Sequence, residues 1–221
     1  GLGGSGQGAA AGTAGTSGAS GSSGFEGVAE PPLLERPNTG AYDCTVSTAA
    51  RLLGVESGFD GDVLRSGSSV YFAWGNSPMM GGTNDLLLAP LGEDATLGAS
   101  VNLGTAAGGP FYNTQLVATP SGLLALSLAS GTTGALLYVA RASSAGASSA
   151  PAVPVTGLGE GVDGYAVTAS SSRVGLLWSQ STSSNFELRF AELDWDGAPV
   201  GPSKLLAASS DRFEVGAVTA T

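Results

Sequence analysis

Two pairs of carboxylates are the residues of this sequence best suited to chemistry. Asp60 and Asp62 lie in FDGD, and Asp194 and Asp196 lie in LDWDG. Such pairs can bind Ca²⁺ together with backbone carbonyls, or act as acid and base on a glycosidic bond. A calcium loop needs a later acidic ligand, but Ala198–Gly201 has no oxygen-bearing side chain. We therefore predict turns at these pairs and no cofactor or metal, with Ca²⁺ at Asp194 and Asp196 as the weaker alternative.

The residue types that are missing exclude several reaction classes. The chain has no histidine, so Ser-His-Asp and Cys-His catalysis and His-bound zinc are excluded. Its one cysteine, Cys44, cannot form an intrachain disulfide, and we interpret it as a free buried thiol, with pairing to a group outside this chain as the alternative. No Gly-x-Ser-x-Gly segment is present. We predict no catalytic residue.

A set of polar residues recurs at intervals of about 50 residues, and it is the candidate ligand site. We expect its members near the starts of equivalent strands, where they would form a polar ring with nearby Tyr112 and Tyr165. Sugars favour such a mixture of carboxylates, amides and aromatic rings. The alternative is that strand ends are polar because they reach solvent. The members are Asp62, Asn113, Asp163 and Glu214.

The three tryptophans are predicted to have different roles. Trp74 and Trp178 end two similar apolar phrases, which indicates core positions. Trp195 lies in the LDWDG turn, so we predict that it is exposed and completes the candidate ligand site.

The elements that carry these residues repeat every 51 or 52 residues. SVYFAW, GLLALS and RVGLLW align Trp74, Leu126 and Trp178, each 52 residues from the next. Ala89, Ala140 and Ala191 of a second set of phrases are each 51 residues apart. Phrases resembling KLLAAS recur near residues 51, 102, 153 and 204. Agreement among independent phrases indicates an internal structural repeat.

Each repeat contains four short apolar phrases separated by Ser, Gly, Asn or Asp, which is typical of strands and turns. We predict an all-β fold of β-propeller type, with four-stranded antiparallel blades of about 51 residues. A β-sandwich and a β-solenoid are the alternatives. The phrase order predicts three full blades plus partial ones, because FEVGAVTAT at 213–221 repeats VDGYAVTAS at 162–170. We interpret this as a truncated propeller, with a closed four-bladed ring as the alternative.

Composition divides the chain into a tether and a folded part. Of the first 24 residues, 22 are Gly, Ala, Ser or Thr, which cannot bury an apolar core. We predict a flexible tether and linker at 1–40, for which a cloning artefact is the alternative, and a propeller-repeat domain at 41–221. The net charge of −10 argues against nucleic-acid binding, and no apolar run is long enough for a transmembrane segment.

The segment RVGLLWSQSTSSNFELRFAELDWDGAPVG at 173–201, with the Gly/Ala/Ser/Thr tether, resembles secreted or lipid-anchored bacterial surface proteins built from degenerate propeller repeats. VYFAWGNS and LLYVARA carry the resemblance more weakly, and it covers about residues 41–221. The resemblance implies an extracytoplasmic location in the periplasm, on the outer surface or after secretion. It also implies a lipid anchor on a cysteine upstream of residue 1.

These observations predict a non-enzymatic, extracytoplasmic binding or scaffold module with a protein or glycan partner. The alternative is a carbohydrate-active propeller, a lectin or a glycosidase-like enzyme that uses the recurring carboxylates. Because propellers include both binding proteins and enzymes, the fold by itself does not separate these two functions.

Overall fold

The computed structural model describes residues 58–76 and 83–216, and this part of the chain is all-β. Its twelve strands form three antiparallel sheets of four, each following the chain order from first to fourth strand. Sheet 1 contains β1 Gly58–Ser66, β2 Ser69–Asn76, β3 Asn84–Leu91 and β4 Val101–Ala106. Sheet 2 contains β5 Phe111–Thr119, β6 Gly122–Ser130, β7 Ala135–Ala142 and β8 Ser148–Pro154. Sheet 3 contains β9 Val162–Ala169, β10 Val174–Ser181, β11 Phe186–Leu193 and β12 Lys204–Ser209.

The sheets are the predicted blades. Each is a four-stranded meander, and equivalent strands follow at about 51 residues, so the predicted fold class is confirmed. The phrases near 102, 153 and 204 are the fourth strands. The phrase near 51, the tether at 1–40, Cys44 and residues 217–221 lie outside the described residues. The described part of the chain contains no helix, and therefore no helix that could span a bilayer.

Apolar side chains between successive sheets form two core clusters. One joins sheets 1 and 2 and contains Tyr71, Leu88, Phe111 and Ala125. The other joins sheets 2 and 3 and contains residues such as Leu126 and Trp178. Strand β6 belongs to the middle sheet, and eight of its nine residues are buried because a neighbouring sheet covers each face. A small sheet with two apolar faces thus gains its stability from the sheets beside it.

One part of the predicted repeat alignment is wrong by one residue. Trp74, Leu126 and Trp178 are all buried in second strands, but the third-strand partners of the two tryptophans are Leu87 and Arg189. The equivalent third-strand residue of sheet 2 is Tyr138, 51 positions after Leu87. Its partner on the second strand is Ser127, so Ser127 and not Leu126 is the equivalent of the two tryptophans. Leu126 therefore points to the opposite face of its sheet. A one-residue shift has this effect because side chains alternate between faces along a strand.

The turns between third and fourth strands repeat closely. The amide N–H of the first turn residue donates to the carbonyl of the fifth, at 2.9 Å for Gly92, 2.8 Å for Ser143 and 2.8 Å for Asp194. The fourth residue has a left-handed backbone with φ of 60°, 79° and 83° for Ala95, Gly146 and Gly197. Glycine adopts this conformation with little strain, which explains two of the three residues.

Candidate functional site

Asp62 links sheet 1 to sheet 2. It lies in the middle of β1, so the turn predicted for FDGD and the place predicted at the strand's start are both wrong, and it pairs across the ladder with Ala73. Its Oδ2 accepts a hydrogen bond of 2.8 Å from the amide N–H of Leu116 on β5. Its Oδ1 accepts one of 2.8 Å from the N–H of Val63. Both oxygens therefore bind backbone groups, and the carboxylate serves the packing of the sheets.

Gln115 forms the corresponding link between sheets 2 and 3. Its amide nitrogen donates to the carbonyl of Tyr165 at 2.9 Å, and its amide oxygen accepts from the N–H of Val167 at 3.1 Å. Gln115 is not among the predicted site residues, because those are the polar residues that recur at the spacing of about 51 residues. Gln115 is 53 residues after Asp62, which is outside that spacing. Its link to sheet 3 could have been suspected from the sequence, because it is a polar residue within the apolar part of a first strand.

Asn113 contributes its backbone to the same junction. It lies in the β-bulge of β5 between Tyr112 and Gln115 and has a left-handed φ of 51°. The carbonyls of Asn113 and Leu126 share the one hydroxyl hydrogen of Tyr165, and the carbonyl of Leu126 lies 2.7 Å from the hydroxyl oxygen. Burial raises the pKa of Tyr165 well above its usual range. Tyr165 is thus a core residue rather than an aromatic group available to a ligand.

Asp163 is the predicted site residue that retains an unused oxygen. It is the extra residue of an irregularity in β9, and its side chain is half-buried. Its Oδ1 lies 3.5 Å from a guanidinium nitrogen of Arg212, which also donates to its carbonyl at 3.2 Å. Its Oδ2 is buried without a hydrogen-bond partner. Burial and then the negative charge of Asp163 raise the pKa of Tyr112, so this phenol lies in the field of the carboxylate.

The members of the predicted polar ring have different contacts in the structure. Asp62 and Asn113 are used between sheets, and Asp163 is paired with Arg212. Glu214 is exposed and residues 213–216 form no strand, while the rest of the segment in which its strand was predicted, residues 217–221, lies outside the described residues. Within the described ranges no three His, Cys, Asp or Glu residues lie close enough to hold a metal ion.

The LDWDG segment forms the predicted turn. Oδ1 of Asp194 accepts hydrogen bonds of 2.9 Å from the N–H groups of Asp196 and Ala198, which explains this aspartate without a metal. Asp196 forms an ion pair with Arg141 of sheet 2. Trp195 is half-buried and packs against the core between sheets 2 and 3, so the predicted exposure is only partial.

Trp195 and Asp196 also line a cavity of about 230 Å³ at the junction of sheets 2 and 3. Arg141 and Ser121 of sheet 2 form its opposite side, together with Leu123. The side chains of Arg141 and Asp196 are 37% and 64% exposed, so both are accessible from solvent. The cavity therefore joins an aromatic ring, a cation and a carboxylate.

No protein-family model and no curated protein matches this chain. Among solved structures, the chain is similar to the alpha-L-arabinofuranosidase from Lactobacillus brevis, with 10% sequence identity and a TM-score of 0.43. The match covers 69% of this chain and 54% of that enzyme, so the chain spans about half of the enzyme's length. A similarity of this extent identifies neither a substrate nor an activity for the present chain.

Proposed function

We propose that this chain is a non-enzymatic binding or scaffold module that acts outside the cytoplasm. The observation that carries the proposal is the use of the recurring polar residues in the packing of the sheets. Both oxygens of Asp62 accept backbone N–H groups, and Tyr165 is fully buried beneath Asn113. A glycosidase needs two carboxylates that face the substrate, one of which donates a proton. Asp62 can take such a role only by giving up its link to Leu116.

The absence of histidine from the sequence supports the same proposal, because the common nucleophilic triads need an imidazole base. The surface is dominated by Ser, Thr, Gly and Asn, and charged residues make up 12% of the chain. Such a surface suits recognition through hydrogen bonds and apolar contacts more than through strong electrostatic attraction.

The test separates a binding module from a carbohydrate-active enzyme. Purified protein is incubated with a panel of chromogenic glycosides and esters, and product release is followed over hours. We expect no turnover above buffer. Turnover that is lost in Asp163→Asn, while the melting temperature is unchanged, would overturn the proposal. Arg212→Gln, which removes the partner of Asp163 but keeps the carboxylate, is the matched control.

The proposed location is tested separately. Antibodies against the chain are applied to intact and to lysed cells of the source organism, and protease accessibility is measured in parallel. Labelling of intact cells, or of cells in which only an outer membrane has been permeabilised, supports the extracytoplasmic proposal, and labelling after complete lysis alone contradicts it. The lipid anchor implied by the resemblance stays a prediction, and metabolic labelling with a fatty-acid analogue tests it.

A further inference from the structure

The turn of sheet 3 carries two side chains that its own geometry does not need. The same turn in sheet 2 has Ser144 and Ala145 where sheet 3 has Trp195 and Asp196. Both turns close with a backbone hydrogen bond of 2.8 Å, and both use the side chain of their first residue, Ser143 or Asp194, as an acceptor. The fold of the turn therefore gives no reason for an indole and a second carboxylate.

The two junctions between sheets differ where these side chains lie. Between sheets 1 and 2, the hydroxyl of Tyr71 donates to the carbonyl of Ser144 at 2.7 Å, and a side chain at Gly146 would collide with the tyrosine ring. The residue 53 positions after Tyr71 is Leu124, which cannot donate a hydrogen bond. The cavity beside Trp195 thus lies at a junction without the tyrosine link.

The groups around this cavity match the chemistry of a sugar. One face of a pyranose ring is apolar and can lie on the indole of Trp195, while its hydroxyls are both donors and acceptors. Asp196 uses Oδ1 for the ion pair, and Oδ2 is available as an acceptor. The guanidinium of Arg141 has donors beyond the one nitrogen bound to Asp196. Ser121 and Ser149 add hydroxyls at the rim.

We infer that the cavity formed by Ser121, Arg141, Trp195 and Asp196 binds a single sugar residue of a glycan. This inference rests on the proposed function as a binding module and gives its ligand class. The cation and the carboxylate neutralise each other, which favours a neutral sugar over a charged one. The cavity volume of about 230 Å³ admits one sugar ring and excludes a long segment of a chain.

The experiment uses the full 221-residue chain on a glycan array, followed by titration of each free sugar that binds. Trp74 and Trp178 are buried, so a change in the fluorescence emission of solvent-accessible tryptophan on sugar binding reports on Trp195. We expect Trp195→Ala and Arg141→Ala to lower the affinity at least about tenfold, and Trp195→Phe to lower it less. Glu93→Ala changes the repeat-equivalent turn of sheet 1 and should leave the affinity unchanged.

Melting curves of all variants are recorded, and Asp196→Asn replaces Trp195→Ala if the latter does not fold. Sugar binding that is lost in the cavity variants and retained in Glu93→Ala supports the site. The inference is overturned if no glycan binds, or if the cavity variants bind a glycan as well as the unaltered chain does. Neither result affects the proposed non-enzymatic function, which fails through turnover of the glycoside panel.

Discussion

At the residue scale, polar side chains on the first strands act as links between sheets. Asp62, Gln115 and Tyr165 all make hydrogen bonds to the backbone of a neighbouring sheet. The apolar clusters supply the stability of the junctions but do not fix the relative position of two sheets. Directional hydrogen bonds fix that position, and buried groups that lose a partner are costly.

Tyr165→Phe should destabilise the protein by about 1–3 kcal/mol, because the carbonyls of Asn113 and Leu126 lose the same donor in a buried setting. The measurement is urea unfolding followed by circular dichroism. Tyr112→Phe is the control, since the hydroxyl of this half-buried residue makes no hydrogen bond among the described residues. Equal unfolding midpoints for the two variants would show that the Tyr165 hydroxyl contributes nothing specific.

Glu160→Gln should reduce the loss of stability in acid. Hydrogen bonds from the side chain and backbone of Thr133, and then from Thr132, hold the pKa of Glu160 below its ordinary value of 4.5. A carboxylate whose pKa is lowered by folding stabilises the folded state at a pH above its unfolded-state pKa. This contribution is lost as the pH falls through the lower pKa of the folded state. When the pH is lowered below about 4.5, we expect the urea concentration at the unfolding midpoint to decrease for the unaltered chain and to decrease less for the variant.

The control for this measurement is Glu192→Gln, which changes an exposed glutamate on β11. Its curve should follow that of the unaltered chain between neutral and acidic pH. If Glu160→Gln also follows that curve, the contact of Glu160 with the threonines does not contribute to stability.

At the scale of strands and sheets, the register decides which junction each side chain stabilises. Leu126 and Trp178 belong to one core cluster, although the sequence repeat would place Leu126 on the face that corresponds to Trp74. The bulge of β5 lies directly opposite Ser127, whose hydroxyl bonds to Thr114 at 3.0 Å and to the carbonyl of Tyr112 at 2.9 Å. Sheet 2 thus has a polar group where sheets 1 and 3 have tryptophan.

Double-mutant cycles test this register. Leu126→Ala should cost about 2–5 kcal/mol by itself, because it leaves a cavity in the core. Combined with Trp178→Phe, it should show a coupling energy of about 0.5 kcal/mol or more, since both residues belong to one cluster. Combined with Trp74→Phe, the effects should add within about 0.5 kcal/mol. If Leu126 instead coupled to Trp74 and not to Trp178, the register in which Leu126 faces sheet 3 would be contradicted.

At the scale of the whole molecule, the outer strand of sheet 3 presents exposed apolar side chains. Strand β12 is an edge strand, and Leu205 and Leu206 are 52% and 55% exposed. Val200, just before it, is also exposed. An edge strand with apolar side chains favours association with other chains, because its free backbone groups and its side chains can both be covered at once.

Leu206→Lys should reduce self-association without loss of stability. Leu206 is the extra residue of the bulge between β11 and β12, so its replacement does not disturb the ladder. We expect a lower weight-average mass in sedimentation experiments at high protein concentration, with the urea midpoint within about 0.5 kcal/mol of the unaltered chain. Asp211→Asn, which changes the net charge by the same single unit at an exposed position after β12, controls for net charge. If both variants reduce association equally, the apolar edge is not its cause.

The fold could be predicted from the sequence to a large extent, and the candidate site could not. Trp74 and Trp178 in core positions and the turn at Asp194 follow from local pattern and are found as predicted. The polar ring stays a prediction as a ligand site, because spacing along the chain identifies equivalent strands but not the direction of a side chain. Gln115 was missed for the same reason, since the bulge in β5 moved the linking position by two residues.

The strands, their grouping in fours and the period of about 51 residues can be predicted from the amino-acid sequence, because these depend on local apolar patterns and turn residues. The tertiary structure alone decided that Leu126 faces sheet 3, that Asp62 binds the backbone of β5, and that Trp195 meets Arg141 beside a cavity. Those facts depend on which face of each sheet a side chain occupies. A single bulge can reverse the face without leaving a clear mark on the repeat.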